Sequence, residues 1–83
     1  MMRLTVDTLT DETNSELKRA VDGTPSVELA GGSGTSLTIS GDDAGVEQLE
    51  RTLWTRELSA RQHGQDSLAD ADQIARESLR AAR

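Results

Sequence analysis

The sequence reads as a small α+β domain of order β-α-β-β-α-α with an antiparallel hairpin at its centre. Two short runs, 27–29 and 37–39, alternate apolar and polar residues, the period of a half-buried strand, around a glycine-rich turn. Leu17, Ala20 and Val21, and later Val46, Leu49 and Leu53, recur at helical spacing. With 83 residues, 34% of them hydrophobic, there is room for one domain with a thin core.

Arg3 to Val6 forms the first expected strand, and Asp7 is a candidate cap for a helix carrying Leu9, Leu17, Ala20 and Val21 on one face. Asp11 and Glu12 fall early and Lys18 and Arg19 late, as the helix dipole favours, and Gly23 and Pro25 end it. The hairpin follows, with Ala30 to Thr35 as its turn. Ser40 and Asp43 offer the start of a second helix, with Val46, Leu49 and Leu53 as its stripe and Trp54 and Leu58 beside it. The pattern breaks at His63 and Gly64. A last helix runs from about Ser67, with Leu68, Ala71, Ala75, Leu79 and Ala82 on one face, Ile74 adjoining, and Asp66 or Ser67 as cap. The expected core is Leu17, Val21, Val27, Leu29, Leu37, Ile39, Leu49 and Leu53, shared with a second copy if the chain dimerises.

Composition excludes several functions. There is no cysteine and one histidine, which removes disulfides and the usual zinc sites, and a small domain without such supports leans on association. Asp42 and Asp43, or Asp66, Asp70 and Asp72, lack calcium-loop spacing, so no metal or other cofactor is expected. The glycines at 31, 32 and 34 join strand to strand and have no nearby lysine, unlike a phosphate loop. No nucleophile and base can be placed together, so an enzyme is not expected. No apolar run approaches the roughly 20 residues of a membrane span, and a cytoplasmic protein is expected.

The net charge of -6 is uneven. Residues 1–50 hold three basic against ten acidic side chains, a net of -7, and residues 51–83 hold six against five. The front half repels polyanions on average.

The element order, with particular residues, resembles the Phd/YefM antitoxins of bacterial toxin-antitoxin pairs. The matching residues are Met2-Arg3, Lys18-Arg19-Ala20-Val21, Asp22-Gly23-Thr24-Pro25, Val27-Glu28-Leu29, Leu37-Thr38-Ile39-Ser40, Asp42-Asp43 and Leu49-Glu50, within residues 2–54. The resemblance implies a homodimer whose amino-terminal half (1–54) binds operator DNA and whose carboxy-terminal arm (55–83) wraps a cognate toxin. Where the family usually places an arginine facing DNA this chain has Thr10, and its hairpin turn carries no basic residue.

Under that expectation Arg3, Lys18 and Arg19 are the DNA-contacting candidates, with a solvated helix end as their alternative. Trp54 and Leu58 are partner anchors or core packing. Leu68, Ile74 and Leu79 suit a groove on another protein, or else fold back on their own dimer. Arg76, Arg80 and Arg83 could pair with an acidic toxin site or cap the helix end. His63, alone, reads as a loop residue. The expected function is toxin neutralisation with autorepression of the operon. The alternative is an acidic interaction protein without DNA binding, such as a DNA mimic.

Overall fold

The computed structural model describes residues 2–83, as β1 (Met2–Asp7), α1 (Asp11–Asp22), β2 (Val27–Ser33), β3 (Ser36–Gly41), α2 (Asp43–Gln62) and α3 (Asp66–Ala82). The strands form one antiparallel sheet in the order β1-β3-β2. Cross-strand partners share a face, so the register places Leu4, Ile39 and Leu29 in one row and Val6, Leu37 and Gly32 in another. This is the inner face. The opposite face carries Arg3, Ser40 and Glu28 in one row and Thr5 beside Thr38 in the next, with the two threonine hydroxyls 3.2 Å apart.

All three helices contribute to a single core against the inner face. Leu17, Ala20 and Val21 of α1, Val46, Leu49 and Leu53 of α2, and Ala75 and Leu79 of α3 join Val6, Val27, Leu37 and Ile39. The α+β order and the antiparallel hairpin expected from the sequence are therefore present.

Local chemistry moves several boundaries. Asp7 does not cap α1; its Oδ1 accepts from the Leu9 amide at 3.1 Å and closes a turn in which Leu9 has φ 64° and stands in solvent. Thr10 is the cap, its hydroxyl accepting from the Thr13 amide at 3.1 Å. At α2 the cap is Asp42, accepting from the Gly45 amide at 2.7 Å, because β3 continues through Gly41. A Cβ on Gly45 would stand 2.7 Å from the Ser26 carbonyl oxygen, so glycine lets the start of α2 sit against the chain entering β2.

The hairpin is tighter than the sequence suggests. β2 runs on to Ser33 across a bulge between Leu29 and Gly31, leaving only Gly34 and Thr35 as the turn. Gly32 has φ 156° and a Cβ there would meet Leu37 Cδ2 and the Ser36 carbonyl oxygen at 2.7 Å. Leu29 was expected in the core and instead is 47% exposed. It lies on an edge strand next to side-chain-free glycines, where a groove of about 520 Å³ separates β2 from Asn14, Ser15 and Lys18 of α1.

The larger correction concerns residues 55–83. The boundary expected after Trp54 falls inside the continuous helix α2, and α3 returns antiparallel along that helix. A 20-residue helix is about 30 Å long and overhangs a small sheet. The shorter α3 fills the space beneath it and reaches β1 and α1 with Leu79 and Ala75, both fully buried. The segment expected as an arm is thus one wall of the core.

Candidate functional site

The two flanks of α2 hold most of the charged contacts. On one flank, Arg56 faces a pocket of about 370 Å³ where α1, α2 and α3 meet, lined also by Glu16, Thr55, Ser59, Gln65, Leu68 and Asp72. Glu16 and Asp72 are almost wholly buried. Arg56 Nη2 donates to Glu16 at 3.0 Å, and Arg19 Nη1 donates to the other Glu16 oxygen at 2.9 Å. The only cation near Asp72 is Arg56, whose Nε stands 3.8 Å away, too far for a hydrogen bond.

Environment separates the two acids. Burial by itself raises the Glu16 carboxyl, but hydrogen bonds with Asp72 and Arg56 and the Arg56 charge outweigh it, so Glu16 is held below the ordinary glutamate value. Burial pushes the Asp72 carboxyl up to about 7, with the hydrogen bond and charge of Glu16 adding and Arg56 opposing. Arg56 thus serves mainly Glu16.

The other flank carries a row of ion pairs between α2 and α3. Glu50 meets Arg83 at 3.2 Å and Arg80 at 3.8 Å, Glu57 meets Arg76 at 3.2 Å, and Arg61 meets Glu57 at 3.3 Å and Asp70 at 3.5 Å. The Arg76 guanidinium also lies 4.4 Å from the centre of the Trp54 ring. Arg76, Arg80 and Arg83, candidates for an acidic cleft on another protein, each face an acid of the same chain, although Arg80 stays mostly in solvent.

Trp54 and Leu58 stand one turn apart on α2, 49% and 44% exposed. Of the partner candidates on α3, Leu79 is buried in the core, and Leu68 and Ile74 are half-buried. The three DNA-contacting candidates do not converge. Arg3 lies on the open face of the sheet, in the row with Glu28, whereas Lys18 and Arg19 belong to α1 on the far side of that sheet. Arg19 is already paired with Glu16.

Sequence reasoning singled out neither Glu16 nor Arg56, and treated Asp72 only as a poor calcium ligand. A signal for Asp72 was present. It stands among Leu68, Ala75 and Leu79 at offsets of four, three and seven, so it shares their apolar face. Glu16 beside Leu17, and Arg56 three residues after Leu53, are weaker signals of the same kind.

Among the described residues, no group of three or more His, Cys, Asp or Glu side chains could hold a metal, and no helix is long and apolar enough to cross a membrane. The chain is thus a small α+β domain, one three-stranded sheet carrying three helices, with a buried acid pair and a half-exposed tryptophan. No known protein family, curated protein or solved structure matches it.

Proposed function

We propose that this chain is a non-enzymatic protein-binding module of antitoxin type, docking its partner through Trp54 and Leu58 on α2 rather than through α3. The observation that carries this reading is the exposure of those two side chains, with the chain's only aromatic half outside the core. Tryptophan and neighbouring aliphatics dominate binding energy where they anchor in a pocket. Of the three apolar residues of α3 that suited such a pocket, Leu79 is occupied within the fold and Leu68 and Ile74 are half-buried. The partner that fits is a toxin presenting an apolar pocket with a rim carrying both signs of charge, because Glu47, Glu50, Arg51, Arg76 and Arg80 surround the groove beside Trp54.

Operator DNA has no place in this reading. Of the DNA-contacting candidates, Arg3 and Lys18, which have no ion pair among the described residues, lie in different layers, among acids that repel phosphate. Self-association is retained, through the open edge of β2 and half-exposed Leu29; the Leu29→Ser chain is then expected to run as a monomer in light scattering where the wild type runs as a dimer.

The test is co-expression with the product of the adjacent open reading frame. A stable complex is expected with the wild type and with Arg80→Ala. The Trp54→Ala/Leu58→Ser chain, which alters exposed side chains and keeps the fold, is expected to bind at least about a hundredfold more weakly, the loss of one or two anchors. Equal binding by the double variant, or no complex at all, removes the reading.

A further inference from the structure

Glu16 and Asp72 lie buried where α1, α2 and α3 converge, with fewer donors around them than two ionised carboxylates need. From α1, Arg19 contacts Glu16 only; from α2, Arg56 donates to Glu16 and reaches Asp72 only at 3.8 Å. The remaining charge that α2 turns toward Asp72 is Glu57, another acid, itself engaged by Arg61 and Arg76. Arg76, the basic residue one turn along α3, is directed to Glu57 and Trp54. Both Asp72 oxygens are therefore buried without a donor. Two neighbouring carboxylates away from water do not both ionise beside a single shared cation, and a proton held between them supplies the missing donor.

We propose that α3 is latched onto α1 and α2 by a proton shared between Asp72 and Glu16, so that docking of this helix is tightest in acid and loosens progressively as the pH rises to neutrality. The position of α3 suits such a device. It supplies no strand to the sheet and joins α2 through Gly64, with φ 71° and open space around it, so it can open without disturbing the strand pairing.

The sign follows from linkage. Asp72 binds its proton more tightly when α3 is docked, up to about 7, than in an opened helix, where the ordinary value is 3.8. Opening therefore releases a proton between those values, and its equilibrium constant rises by about tenfold per pH unit there, levelling off above. Glu16, held below its ordinary 4.5, acts in the opposite sense and only at lower pH.

Native-state hydrogen exchange on the full chain between about pH 5 and 8, corrected for intrinsic rates, tests the latch. The amides of residues 69–79 are expected to lose protection by about tenfold per unit up to pH 7 and then to level off, and to lie below the protection of β3 at each pH, since β3 opens only with the whole fold. In Asp72→Asn, which can still donate toward Glu16 but has no proton to lose, α3 protection is expected to be constant. If that variant does not fold, the Asp72 carboxyl ¹³C shift of the wild type replaces it, with a midpoint near neutrality expected. Protection of α3 that ignores pH, protection of α3 equal to that of β3, the same loss in Asp72→Asn, or an Asp72 midpoint in the ordinary aspartate range would each overturn the proposal.

Discussion

The two flanks of α2 use the same residue types to opposite effect. On the flank facing α1, one arginine stands over two buried carboxylates, so each charge there depends on the others. On the flank facing the outer side of α3, arginines and acids alternate along the surface, and although Glu57 and Arg76 are largely covered, Arg61, Asp70, Arg80 and Arg83 keep access to water. Burial, more than the number of pairs, sets the energy. Breaking a buried pair strands a charge at a cost of several kcal/mol, whereas an exposed pair is worth about 0–1 kcal/mol.

Substitutions on either side of α3 sharpen that contrast. The largest effect is expected outside both flanks: Leu79→Ala should cost about 3–5 kcal/mol in urea unfolding, since a fully buried leucine leaves a cavity between α3 and the sheet. Arg56→Ala comes next, at about 3 kcal/mol, because Glu16 loses a donor and Asp72 its only nearby cation. A value near that of a surface arginine would erase the distinction between the flanks. Arg76→Ala should cost about 1–2 kcal/mol, through lost contact with Trp54 and Glu57, and shift the tryptophan fluorescence. Arg80→Ala should fall within about 0.5 kcal/mol of the wild type, its side chain being mostly in solvent.

The same contrast explains what the sequence disclosed. Val27, Leu37 and Ile39 announce the hairpin through period-two alternation, and Leu17, Val21, Leu49 and Leu53 announce the helices, because burial on one face imposes a period. Leu29 obeys the same alternation and still emerges half-exposed, since periodicity reports a face and not whether anything covers its edge. The amphipathic face of α3 was legible too. Its destination was not, because Leu68, Ala75 and Leu79 would suit a foreign groove as well as this chain's own core. Buried Glu16, Arg56 and Asp72 were hidden for another reason: charged residues in a helix read as its solvated side until three helices bring them together.

Exposed Trp54 and Leu58 matter for partner binding only if α3 belongs to the core. That is tested most directly by a chain ending at Gln62, followed by circular dichroism on heating and by amide shift dispersion. Without Ala75 and Leu79 part of the inner surface of α1, α2 and the sheet lies open, so a broader melt at a clearly lower temperature, with reduced amide dispersion, is expected. A shortened chain that melts as sharply, and at the same temperature, as the full one would mean that residues 63–83 are an appendage after all.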